Sequence, residues 1–349
     1  MGYPIFDAHC DTVLRVVDNG VDIFERSEYG HLDVPRMLET GIACQVFACF
    51  TSIEENPDDV EERSRKLVDA VLELQENDQI VVPKSKKDFT SLSESNDRVG
   101  IILAIEGGEA LGGKPEKLEL LKELGVRYIT IAWGDNNLTG SAFGTNSGLT
   151  DLGKDVVREM ERLHILIDVS HASDAAVDDI LSITSCPIIA SHSNARAVCP
   201  SPRNLKDDHI REISERGGAI GCVFLSGFLT REANDVQMPI FQRYFELSKK
   251  DPGNLMKHRD AAYDQIANTK LPPFEAIADN IDHLVEVAGI DAVGFGSDFD
   301  GFKYGPEGMV DCRDFLRILN ILEQRGYSEA DIKKISWDNW SRVFSWTFE

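Results

Sequence analysis

Five short stretches of this sequence each set a metal-ligating side chain directly behind an apolar run. In Phe6-Asp7-Ala8-His9-Cys10-Asp11-Thr12, His9 and Asp11 stand two apart, so an extended backbone projects both to one side. An imidazole and a carboxylate placed that way suit a divalent ion, although so short a pair is common by chance. Glu106 closes Leu103-Ala104-Ile105-Glu106 ahead of Gly107 and Gly108. A charge at the end of an apolar strand is costly unless it is paired or metal-bound; a helix-capping or ion-paired glutamate is the other reading. His171 follows Ile167-Asp168-Val169-Ser170, and His192 follows Ile188-Ile189-Ala190-Ser191. Either histidine alone reads as a hydrogen-bonded structural residue, whereas two at matched positions on neighbouring strands can share one ion. Asp298, in Val293-Gly294-Phe295-Gly296-Ser297-Asp298, completes the set. Taken together, His9, Asp11, Glu106, His171, His192 and Asp298 predict a site for two divalent cations, with Glu106 between them as a bridge. Ions bridged in this way sit about 3.5–4 Å apart.

Such a site needs elements that bring distant residues to one level. The apolar runs cover 4–8, 42–50, 99–105, 126–132, 163–169, 187–190, 218–225 and 291–296. Several are continuous rather than alternating, as in parallel strands buried on both faces. Helical patterns fall between them, at about 58–77, 115–124, 151–163, 173–184, 207–216, 273–288 and 311–325. Thr150 and Asp151 are available to cap the third of these helices. Eight strands alternating with helices predict an α/β fold of the (β/α)8 TIM-barrel type, as one domain over residues 1–349. Barrel enzymes build their sites at the C-terminal ends of the strands, which is where every candidate ligand falls. Between the seventh and eighth strands the chain spends roughly 65 residues, more than one crossover needs. Residues 226–271, including Lys249-Lys250-Asp251-Pro252-Gly253, predict an insertion of one or two helices and a loop over the catalytic face.

Bulk properties narrow the partners. The 349 residues hold 60 acidic and 36 basic side chains, a formal net charge of −24. That charge repels nucleic acid and anionic lipid alike. No apolar stretch approaches the 18–20 or so residues that span a bilayer. The segment from Met1 to Phe6 lacks the basic and apolar regions of a signal peptide. Seven cysteines, an odd number without a CxxC pair, sit mostly inside apolar runs and predict reduced, buried thiols. These features predict a cytoplasmic protein with no nucleic-acid or membrane partner.

The motifs DAHCDT, AIEGGEAL, IDVSHAS, ASHSNARAVCPSPRNL and VGFGSDFDG resemble those of the membrane (renal-type) dipeptidases, peptidase family M19, over residues 5 to 344. The resemblance implies a binuclear zinc hydrolase that cleaves small dipeptides by attack of metal-activated hydroxide and tolerates a C-terminal D-residue. It implies that His9 and Asp11 hold one zinc, that His171 and His192 hold the other, and that Glu106 bridges them. By the same match Asp298 sits at the first metal and handles the proton, while Arg203 holds the dipeptide's carboxylate. A homodimer is implied as well. An arginine fork suits that carboxylate because it binds in two-point fashion. One position departs from the animal members: Trp133 stands where they carry a histidine for the substrate carbonyl. Indole can donate but not titrate, so Trp133, Asn136 or Asn137 is expected to serve as the donor. The departure keeps open a second reading, a barrel amidohydrolase acting on another small amide, lactam or N-acyl amino acid. A metal-binding protein without catalysis is a third reading, opposed by the complete ligand set together with Arg203.

Overall fold

In the computed structural model, residues 2–51, 59–95, 97–251 and 254–349 are described. The apolar runs form eight parallel strands: β1 (Ile5–Cys10), β2 (Ile42–Phe50), β3 (Val99–Glu106), β4 (Val126–Thr130), β5 (Leu166–Asp168), β6 (Ile188–Ala190), β7 (Ala219–Cys222) and β8 (Val293–Phe295). Each pairs with the next, and β8 returns to β1 at Asp7 opposite Phe295, so the sheet closes into the expected (β/α)8 barrel. The longest register joins β2 to β3, from Cys44 opposite Gly100 to Phe50 opposite Glu106. Continuous apolar sequence is explained by burial on both faces: every residue of β1 and β3 is buried.

The later strands are shorter than the runs that announced them. The run 163–169 holds a strand only at Leu166–Asp168, because the chain leaves the preceding helix through His164 in a left-handed conformation (φ 54°). A two-residue strand, Ile80–Val81, adds to the start of β3; its short apolar stretch, Ile80-Val81-Val82, lies outside the eight runs read from the sequence. Helices lie where the periodicity places them, including Val60–Leu74, Asp151–Arg162, Asp174–Ile183 and Asp314–Gln324. Residue 58, where the first of these patterns begins, lies outside the described residues. Thr150 caps Asp151–Arg162 by accepting from the Gly153 N–H, and Ser173 caps the next helix in the same way. The insertion is two helices, Arg231–Lys250 and Leu255–Ala267. The Pro252-Gly253 turn expected between them falls outside the described residues.

The C-terminal segment, without a clear sequence signal, plugs the bottom of the barrel. Trp337, Trp340 and Phe344 gather around Phe6, with ring centroids 5.7, 6.3 and 5.0 Å away. The Trp340 indole donates to the Phe295 carbonyl at 2.9 Å, and its ring lies against Gly294, where a Cβ would come within 2.3 Å. All seven cysteines are buried and unpaired, in accord with their apolar sequence settings.

Toward the opposite end, β6, β7 and β8 converge on one carbonyl. A Cβ at Gly221 or Gly296 would stand 2.1 or 1.8 Å from the Ser191 oxygen, so both positions exclude a side chain. Because that oxygen is backbone, it cannot swing aside. Gly296→Ala is expected to lower stability by about 1–3 kcal/mol, the usual cost of overpacking, as read by urea denaturation of the purified protein.

Candidate metal centre

The six predicted ligands come together at the C-terminal mouth of the barrel. His9 lies in β1 and Asp11 just beyond it; Glu106 ends β3. His171, His192 and Asp298 follow β5, β6 and β8 on tight turns. His171 and Asp298 have φ of 65° and 64°, the left-handed region that costs a non-glycine residue about 1–2 kcal/mol. Strand-to-strand hydrogen bonds hold the Asp298 turn in place, Asp298 N–H to His9 O at 3.1 Å and Asp11 N–H to Phe299 O at 2.8 Å. Gly301 then leaves room for both acids, since a Cβ there would lie 2.3 Å from Asp11 Oδ2 and 2.4 Å from Asp298 Oδ1.

Glu106 occupies the middle. Its Oε2 lies 3.4 Å from His9 Nε2, while its Oε1 lies 3.3 Å from His171 Nε2 and 3.6 Å from His192 Nε2. His9 Nε2 also faces Asp11 Oδ2 at 3.8 Å and Asp298 Oδ1 at 3.9 Å. The His9 and His192 rings stack with centroids 3.7 Å apart. Three overlapping groups therefore have metal-ligand spacing: His9–Asp11–Glu106, Glu106–His171–His192, and His9–His192–Asp298.

The electrostatics call for cations. Burial, then the charge of Glu106, pushes the Asp11 carboxyl up to about 6. Burial, then Asp11, holds Asp298 well above the usual carboxylate range. Burial, with the Arg203 charge behind it, presses His171 down to about 4, and burial beside His9 holds His192 well below the usual imidazole range. Both imidazoles are thus kept in the neutral form that ligates metal. Their Nε2 atoms face each other at 2.9 Å, so one proton at most lies between two nitrogens that both suit a metal. His9 Nε2 and Asp11 Oδ1 are buried with no hydrogen-bond partner among the described residues. Orphaned acceptors, crowded carboxylates and facing imidazoles are relieved together by divalent cations, so the residues present fit a metal centre.

Behind the ligands lies a hydrogen-bonded layer that sequence reading did not single out. Asp7 accepts from Ser297 N–H at 2.7 Å, Ser297 Oγ at 2.6 Å and Gln45 Nε2 at 2.8 Å. Asp168 accepts from Thr130 Oγ1 at 2.6 Å, Ser191 Oγ at 2.7 Å, Ser191 N–H at 2.8 Å and Ser170 N–H at 3.0 Å. The available signal was a carboxylate interrupting an apolar strand, Ile5-Phe6-Asp7 and Leu166-Ile167-Asp168.

Arg203 is buried, donating from Nη1 to Ser193 Oγ and from Nη2 to the His192 carbonyl, both at 2.7 Å. Its Nε has no partner among the described residues. Burial draws the guanidinium down to about 10, against the pull of Asp298, Asp168 and Glu106. Trp133 packs 6.1 Å from the His171 ring, 5.0 Å from Phe50 and 5.7 Å from Phe245 of the insertion. The structure corrects the expectation for Asn136. Its amide donates to Glu109 Oε2 at 3.0 Å and Ile131 O at 2.9 Å, and its Oδ1 accepts from the Leu138 and Thr139 N–H groups. Those contacts spend its donors inside the loop. Asn137 is exposed.

A closed parallel barrel with histidines and carboxylates converging at its C-terminal mouth defines a metal-dependent hydrolase of the barrel class. The family model for membrane dipeptidases (peptidase family M19) matches residues 2–347, and the chain belongs to that family. It is similar to the solved dipeptidase AC, an M19 metallopeptidase, at 26% identity and TM-score 0.82, covering 100% of this chain and 99% of that one. It is similar too, at 25% identity and TM-score 0.83, to a Rhodobacter sphaeroides metallopeptidase liganded with a phosphinate mimic of L-Ala-D-Ala; the match covers 99% of this chain and 100% of that one. The probable dipeptidase PvdM from Pseudomonas aeruginosa shares the fold, with TM-score 0.87 at 23% identity over 99% of this chain and 96% of that one. The chain is thus a hydrolase of the metallodipeptidase type. Despite the family's name, no helix among the described residues is long and apolar enough to cross a membrane.

The loop role of Asn136 has a measurable consequence. Asn136→Ala is expected to lower stability by about 1–3 kcal/mol through its lost hydrogen bonds, with KM for a dipeptide nearly unchanged; thermal denaturation beside steady-state kinetics checks both.

Proposed function

We propose that this chain hydrolyses free dipeptides with two divalent ions, zinc foremost, one held by His9 and Asp11, the other by His171 and His192, with Glu106 shared. The observation that carries this reading is the division of Glu106: one oxygen faces His9 and the other faces His171 and His192. Ions at such a site supply an acidified water and a polarised carbonyl at neutral pH. The remaining work belongs to the protein. Asp298, at the His9 side of the cluster, is placed to take a proton and return it to the leaving amine. Arg203 commits two of its five N–H donors to Ser193 and His192. Three remain for a substrate carboxylate, which confines cleavage to the last peptide bond. The Nε donor, buried and unpartnered, supports this role.

Trp133 sets the departure in specificity. As a neutral donor and apolar wall beside His171, together with Phe50 and Phe245, it favours an apolar side chain next to the scissile bond. Likeness to the metallopeptidase that holds an L-Ala-D-Ala mimic adds dipeptides with a C-terminal D-residue to the substrate class. Trp133 also supports the second reading, a hydrolase of another small amide.

The deciding assay is amino-acid release from L,L- and L,D-dipeptides, with C-terminally amidated and N-acetylated controls, before and after chelation. Chelator-sensitive cleavage of free dipeptides, lost on amidation, is expected; cleavage of N-acyl or amide controls alone would instead establish the second reading. Asp298→Asn is expected to lower kcat by about 10²–10⁴-fold, the range for a general acid–base group, with a much smaller change in KM. Arg203→Lys is expected to raise KM for free dipeptides by roughly tenfold or more, which steady-state kinetics reads directly.

A further inference from the structure

Two of the imidazoles at the metal centre are held from behind by unlike partners. His9 Nδ1 lies 2.8 Å from the Tyr128 hydroxyl. That hydroxyl is 3.0 Å from the Ala8 carbonyl, an oxygen that can only accept. Its single proton therefore goes to Ala8, and it must accept from His9 Nδ1–H. His192 Nδ1 lies 2.7 Å from Ser191 Oγ, whose own proton goes to Asp168 Oδ2, also at 2.7 Å. His192 too carries its proton on Nδ1. Each ring thus turns an Nε2 lone pair into the site, one fixed by a phenol and the other by a hydroxyl backed by a carboxylate.

The two supports differ in which ring they hold, although the Tyr128 hydroxyl also lies within reach of the Ser191 side chain. Tyr128 rises from β4, crosses the barrel interior to β1 and is fully buried. Packing against Phe344, with ring centroids 6.2 Å apart, would be met equally well by phenylalanine. Packing therefore gives no account of the hydroxyl. A buried hydroxyl is costly without partners, and the two that this one directly bonds, His9 Nδ1 and the Ala8 carbonyl, belong to the His9 segment.

Building on the two-ion reading, we infer that Tyr128 is a positioning residue for the ion at His9 and Asp11, and that Ser191 with Asp168 separately positions the ion at His192 and His171. Each support acts first on the position whose imidazole it touches.

Competitive chelator titration of the full chain with Zn²⁺ tests this. Wild type is expected to bind two ions. Tyr128→Phe should weaken one of them by about 10–100-fold, the range for a lost partner behind a ligand, and the other markedly less. In an Asp11→Ala background, where the His192 position is left, Ser191→Ala should weaken the remaining ion far more than Tyr128→Phe does. Equal weakening of both ions by Tyr128→Phe, or of neither, overturns the inference while the two-ion reading stands. A wild type that binds one ion overturns both. Should Tyr128→Phe fail to fold, imidazole ¹H–¹⁵N spectra of the zinc-loaded wild type decide: slowly exchanging Nδ1–H signals are expected for His9 and for His192, and absence of the His9 signal overturns the assignment.

Discussion

Everything at the mouth of this barrel depends on one unfavourable arrangement, three carboxylates brought out of water within reach of one another. Asp11, Glu106 and Asp298 converge there, with the Arg203 guanidinium as a nearby fixed cation. Burial and mutual repulsion push Asp11 and Asp298 up, while Glu106 is held down by His9 and His171 in spite of its own burial. A protein interior does not keep such a cluster ionised without added positive charge. The requirement for cations is therefore written into the arrangement of the acids, before any ligand geometry is considered.

The surrounding structure holds that arrangement in place. Two further buried carboxylates, Asp7 and Asp168, are the opposite kind of acid, each saturated by hydroxyl and N–H donors. They tie β1 to the end of β8, and β5 to the end of β6, beneath the ligands. Their satisfaction makes the strand ends rigid enough to hold His171 and Asp298 in left-handed backbone. Glycines at 221 and 296 let the strand ends close around Ser191, the residue that also backs His192. Packing at the top of the barrel and orientation of the ligands are one problem with one solution.

Much of this was legible in the sequence. The barrel followed from apolar runs that do not alternate, and the cluster of candidate ligands from side chains placed directly behind those runs. The insertion was visible as chain length that a crossover does not use. Other features were not legible, for identifiable reasons. Tyr128 sits in a strand where an aromatic residue needs no explanation, and its hydroxyl acquires meaning only from β1 across the barrel. Asn136 looked like a donor for substrate because motif position says nothing about which way an amide turns; the loop claims it. The plug formed by Trp337, Trp340 and Phe344 has no periodic signal, since its helices are short and packed on most sides.

The contact between Phe245 and Trp133 places part of the pocket wall on a segment that is not part of the barrel. The candidate ion ligands belong to the scaffold and are bound to its closure, whereas this wall is hung on a 20-residue helix inserted between β7 and β8. Reaction and selection are in that sense inherited separately. A lineage can rewrite the inserted helix, residue by residue, and acquire new tastes in substrate while the machinery that breaks the bond remains untouched.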